Sequence, residues 1–181
     1  MSIDIVFCGV YNVTMEAKQK QALAELIRGF HLPRYAELPN GGLYLKQTER
    51  YINEFLAPLG AIEITSSMIR NYVKQGMVEN PVQKLYYADQ IGYLICITVL
   101  KHAASLECIQ QMLCRQRTLY SKQVAYDYFC GELENILFYR FGVTKSIQDL
   151  GVTSSLEKEM FRSAITAVSH IIYLNACFTM L

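Results

Sequence analysis

Apolar positions recur along most of the chain at helical spacing, broken by short polar or turn-rich stretches. Ala22, Leu23, Leu26, Ile27 and Phe30 predict a first helix, opening after Thr14 as N-cap and ending near Gly29. Ahead of it, MSIDIVFCGVYN is β-branched and aromatic, which suits either a short strand or a packed tail. The connector HLPRYAELPNGG carries Pro33, Pro39 and Asn40-Gly41-Gly42, residues that favour turns. Leu45, Thr48, Ile52, Phe55 and Leu56 mark a second helix, stopped near Pro58 and Gly60.

A third, short helix follows Thr65 or Ser66. Met68, Ile69, Tyr72 and Val73 face one way, Ser67, Arg70, Asn71 and Lys74 the other, and Gly76 offers a left-handed C-terminal cap. The stretch from Met77 to Leu85 contains Asn80-Pro81 and cannot be helical throughout. From about Ala88 to His102 the pattern is apolar almost all round, as in the centre of a bundle, and Ser105 caps a fifth helix with Leu106, Ile109, Met112 and Leu113 inward. Tyr126, Phe129, Leu133, Ile136 and Leu137 give a stripe within a helix from Leu119 to Phe141. Ser154 with Glu157 reads as a capping box for a final helix carrying Phe161, Ile165, Val168 and Ile172. The expected fold is all-α, divided as 1–60, 61–117 and 118–181.

Composition narrows the class. Of 181 residues, 52% are hydrophobic and 18% charged, too apolar for a disordered chain. The net charge of +1 excludes a strongly basic nucleic-acid binder, and only residues 61–117 lean positive, with six basic against four acidic side chains. The six cysteines show no CxxC pair and read as reduced, buried side chains of a cytoplasmic protein. The three histidines are far apart, so neither a zinc site nor any other cofactor is expected. Ser163 to Leu181 lack formal charge over 19 residues, but interrupting Ser, Thr, His and Asn residues make this a buried core helix rather than a membrane anchor.

The chemistry concentrates on the third helix. Arg70 and Lys74, one turn apart, suit phosphate contacts, and Arg70 also suits a bidentate contact to guanine. Ser66 and Ser67 stand at the amino end, where N–H groups and hydroxyls can hold a phosphate, and Asn71 has the donor–acceptor pair that reads adenine. The same residues also suit a helix face that is merely solvated. Tyr86, Tyr87 and Tyr93 suit either base stacking or half-buried packing.

The stretches ITSSMIRNYVKQGMV, KLYYADQIGYL and ASLECIQQML are similar to the MerR-type helix-turn-helix pattern. Ile69-Arg70-Asn71-Tyr72, Gly76-Met77, Lys84-Leu85-Tyr86 and Ser105-Leu106-Glu107-Cys108-Ile109 occupy its successive parts, with Asn71 in place of an aromatic residue and Leu85 in place of a basic one. More closely, Leu32 to Leu113, with NYVKQG and the IxxLK run as its specific pieces, resembles the domain of unknown function 1836 family, bacterial proteins regarded as MerR-like. That resemblance implies a helix-turn-helix core with a short or absent wing, additional N- and C-terminal helices, and Lys84 and Tyr86 beside the third helix as phosphate contacts.

Two function classes follow. One is a homodimeric double-stranded-DNA-binding regulator, with the last two helices supplying the dimer contact or an effector site. The other is a protein-interaction module that keeps the fold without binding DNA. An enzyme is not expected: no nucleophile–base pair, paired carboxylates, metal set or phosphate loop is legible, and a core position accounts for Cys108.

Overall fold

The structure, a computed structural model, describes residues 17–151 and 155–180. The expectations for the first dozen residues, for Thr14 and for Ser154 lie outside the described residues.

Seven α-helices alternate with short connections among the described residues: α1 (Ala17–Arg28), α2 (Leu45–Leu56), α3 (Ser66–Lys74), α4 (Ala88–Leu100), α5 (Leu106–Leu119), α6 (Lys122–Arg140) and α7 (Leu156–Phe178). Two-residue strands β1 (Leu43–Tyr44) and β2 (Leu85–Tyr86) pair antiparallel, with Leu43 opposite Tyr86 and Tyr44 opposite Leu85. The fold is therefore mainly α, as the periodicity predicts, with one small sheet that it does not.

Local chemistry explains most boundaries. Thr65 accepts a hydrogen bond from the Met68 N–H at 3.2 Å, and Ser105 accepts one from Cys108 N–H at 3.2 Å. The Gln47 and Gln90 side chains reach back to the Tyr44 and Tyr87 N–H groups at 2.9 and 2.7 Å. Each bond satisfies a donor that a helix start would leave orphaned. Gly76, at φ 70°, ends α3 as expected. The cap of α7 falls at Ser155, whose hydroxyl takes the Lys158 N–H, and α5 runs on to Leu119 with Ser121 opening α6.

The buried apolar side chains form one continuous cluster that takes residues from every helix. Ten of the thirteen residues of α4 are buried, so this helix is the axle of the molecule. Tyr126, Phe129, Leu133, Ile136 and Leu137 of α6 all point into the core. Arg34, in the connector, clamps that core from outside: its guanidinium meets both oxygens of Glu134 at 2.8 and 2.5 Å, and the Leu32 N–H donates to the same carboxylate at 2.9 Å.

Two expectations fail. Cys96 and Cys130 are buried, but Cys108 and Cys114 are exposed: Cys114 lies on the outer side of α5, and Cys108 at the edge of its inner side, one turn before Met112. A core position therefore does not account for Cys108. Nor is α7 a wholly buried helix. Phe161, Ile165, Val168 and Ile172 enter the core, while Leu174 and Phe178 on other sides remain exposed. No helix among the described residues is long and apolar enough to cross a membrane.

Candidate nucleic-acid interface

The connection between α2 and α3, residues 57–65, opens with a 3-10 turn over Ala57–Leu59, and side chains hold the rest of it. The Asn53 amide makes a paired contact with Ile64, donating to its carbonyl and accepting from its N–H, each at 2.8 Å. Lys101, at the end of α4, donates to the Glu63 carbonyl at 2.9 Å, and burial lowers the pKa of its ammonium. Glu49 of α2 accepts from the Ser66 N–H at 2.7 Å and also from its hydroxyl. These bonds hold the Glu49 carboxyl below its ordinary pKa, with Lys46 adding an ion pair at 3.1 Å. Three clamps from two helices thus fix where α3 begins and how it is turned.

On that platform Ile69 and Tyr72 point inward, while Ser67, Arg70, Asn71 and Lys74 are exposed along one side of α3. Ser66 departs from expectation. It is buried, and Glu49 occupies both its hydroxyl and its N–H, so a carboxylate of the chain itself already sits where a phosphate would bind.

After α3 the chain turns back as a minimal hairpin. Val82 and Leu85 exchange two backbone hydrogen bonds, of 3.0 and 2.9 Å, around Gln83 and Lys84. Both central residues have positive φ, 50° and 68°, which marks the mirror-image turn that best matches strand twist. β2 then continues this arm onto β1, against which Gly42 is indispensable. It sits at φ +72°, and a Cβ there would lie 3.0 Å from the Tyr87 ring and from Leu85. The segment after α3 is thus a two-residue hairpin whose exposed tip is Gln83 and Lys84.

Tyr86 is placed differently from its expected role. Only 4% of it is exposed, and its hydroxyl is pushed above the ordinary tyrosine pKa by burial. Arg70 is near enough to oppose that shift, so the middle of α3 and the base of the hairpin are electrostatic neighbours. Tyr93 is engaged within the protein, with the Arg117 guanidinium 4.1 Å from its ring centre. Asp89 is likewise occupied, bound by the Tyr35 hydroxyl and by Lys122 at 2.5 Å each.

The cations of residues 61–117 sort into two groups. Lys101 holds the Glu63 carbonyl, Arg115 pairs with Glu157 at 3.4 Å, and Arg117 covers Tyr93. Arg70, Lys74 and Lys84 make no salt bridge among the described residues, and all three are exposed. The positioning residues Glu49, Asn53 and Lys101 escape a reading of the sequence, since each lies on an ordinary polar helix position and acts on backbone well away in sequence. No group of acidic, cysteine and histidine side chains able to hold a metal ion occurs among the described residues.

The fold and its exposed face define a mainly α-helical domain with a clamped pair of helices, α2 and α3, and a small hairpin beside them. Residues 33–129 match the family described as Domain of unknown function (DUF1836), more than half of the chain, and the protein belongs to that family. No curated protein and no solved structure gives a significant match.

Proposed function

We propose that this protein binds double-stranded DNA as a transcriptional regulator of MerR-like helix-turn-helix type, working in the cytoplasm as a homodimer. The observation that carries the reading is the distribution of cations. The cations not consumed inside residues 61–117 are Arg70 and Lys74, on the outer side of α3, and Lys84, at the hairpin tip. In this reading α3, nine residues and about 13 Å long, enters the major groove. Arg70 and Asn71 address base edges, Lys74 and Ser67 a phosphate, and Lys84 the backbone across the adjoining groove. Ser66 and Tyr86 act from behind: the first fastens α3 to Glu49 and the second seats the hairpin against it.

The holding of Lys84 at φ 68° supports the same assignment, because a long side chain in that conformation costs about 1 kcal/mol that glycine would not. A duplex passing over the hairpin tip gives a reason for a lysine there.

The test is selection from a random-sequence duplex library with the full chain, followed by gel retardation of the recovered fragments at several salt concentrations. A pseudo-palindromic motif, binding that weakens steeply with salt, and its loss in Arg70→Ala and Lys74→Ala with unchanged melting are expected. Variants that bind as well as the parent would remove α3 from the interface. A second reading, docking of a protein on this face, is favoured by the near-neutral chain and by the Glu49 carboxylate at the start of α3. A selection that enriches nothing over input would leave that reading standing.

A further inference from the structure

Away from α3, one stretch of surface gathers cations without acids. Where α1 meets the end of α6, an open cleft of about 440 Å³ is lined by Lys20, Arg28 and Arg140, and by no aspartate or glutamate among the described residues. Seventeen basic and sixteen acidic side chains nearly cancel over the whole chain, so three cations around one cleft are a local excess. Glu25 takes Arg28 in an exposed ion pair at 3.1 Å. Lys20 and Arg140, both exposed, make no salt bridge among the described residues.

Arg140 is held in place before any ligand arrives. Its guanidinium lies 4.2 Å from the centre of the Tyr173 ring, which meets Phe141 edge-on at 5.1 Å. A planar fork of donors fixed in this way loses little freedom on gripping a phosphate with two hydrogen bonds. The end of a helix ordinarily repels an anion through its free carbonyls. Here they are occupied. The Leu137 carbonyl accepts from the Phe141 N–H at 2.9 Å, that of Phe138 from Val143 and Thr144 at 2.8 and 3.2 Å, and that of Tyr139 from Gly142 at 3.1 Å.

Between the cations the cleft is apolar. Leu23 and Ala24 of α1 and Phe141 form its floor, and Tyr139, 45% exposed, offers ring surface beside Tyr173. Lys20 and Arg28 lie eight positions apart, about 12 Å along α1, so the cleft is longer than a bare phosphate. Its volume is that of a small-molecule site, with charged donors at the edge and flat apolar walls within.

We propose that this cleft binds a small molecule of mononucleotide size, carrying a phosphate group and a planar ring. Arg140 and Lys20 take the phosphate, and the ring lies over Leu23 and Ala24 against Tyr139. Every residue of the cleft falls outside residues 33–129, so the site belongs to the flanking helices of this chain and stands apart from the DNA-binding reading.

Equilibrium dialysis of the full-length protein against the common ribonucleoside monophosphates, their nucleosides and inorganic phosphate tests the site. At least one monophosphate should bind with a Kd below about 1 mM, and about tenfold or more tighter than its nucleoside or phosphate alone. Lys20→Gln and Arg140→Gln should each weaken that binding by about tenfold or more. Because Arg140 also packs on Tyr173, the exposed Lys20 carries the control, and Lys20→Gln should melt with the parent. A nucleoside held as tightly as its monophosphate would overturn the proposal, as would a Lys20→Gln protein that binds like the parent. Inorganic phosphate bound as tightly as the best monophosphate would also overturn it, since the rings would then have no part. Should no monophosphate bind at about 1 mM while both variants lose retardation of a duplex fragment, the cleft would track a DNA backbone instead and the proposal would fail.

Discussion

Replacing Lys84 by glycine sets stability and binding against each other. Lys84 is held at φ 68° in a two-residue turn closed by hydrogen bonds of 3.0 and 2.9 Å between Val82 and Leu85. A residue with a Cβ gives up about 1–2 kcal/mol in that region, and glycine gives up about 0.5–1 kcal/mol more entropy on folding than an ordinary residue. The net expectation for Lys84→Gly is a gain of about 0–1.5 kcal/mol, or a melting temperature up to about 6 °C higher for a chain of this size. If the ammonium contacts a phosphate, the same change removes one released counterion, reducing the slope of log affinity against log salt by about 0.9. Between 50 and 200 mM salt that single contact accounts for about a three- to four-fold difference in affinity. Differential scanning calorimetry reads the first effect and gel retardation on a selected fragment the second. A variant that is more stable and binds with an unaltered salt slope would refute the role given to the hairpin tip. A variant that is markedly less stable would refute the account of the turn.

Two further outcomes are expected. Asn53→Ala strips both partners from the Ile64 backbone, so urea unfolding should show a loss of about 1–3 kcal/mol, and duplex affinity should fall although Asn53 lies outside the contact face; unchanged stability would mean that the connection before α3 is held by something else. Glu132 is fully buried, 2.8 Å from the Arg162 Nε, yet neither oxygen receives an aligned hydrogen bond. Burial raises its carboxyl above the ordinary value of 4.5, against the pull of Arg162 and Lys158. The folded state thus holds this proton more tightly, and the stabilisation it gives is present at low pH and lost as pH rises from the ordinary value through the raised one. Glu132→Gln abolishes that titration, so its stability relative to the parent should climb as pH increases across this window; a difference that stays flat or runs the other way in urea titrations at stepped pH would show that Glu132 is ionised throughout.

How much was legible in the sequence differs element by element. Helices α2 to α5 could be placed from the spacing of Ile52, Ile69, Leu94 and Ile109, and their ends from Thr65, Gly76 and Ser105, because caps and apolar stripes act within a turn or two of the chain. The outer face of α3 followed from the same period, so Arg70 and Lys74 were found as exposed neighbours. What a local pattern could not reveal was which partner each polar group meets. Ser66 has the composition of a phosphate ligand, and only the folding of α2 beside α3 brings Glu49 to it first. The pairing of β1 with β2 joins residues more than forty positions apart, and the positive φ angles at Gln83 and Lys84 go with the two Val82–Leu85 hydrogen bonds rather than being favoured by either residue. Tyr86 became buried and Cys108 exposed for the same reason: periodicity shows that a helix or strand has an inner side, but packing against neighbours decides how far that side extends. The second apolar face of α7 is the plainest case. Its composition called for burial all round, and the tertiary structure covers one side alone.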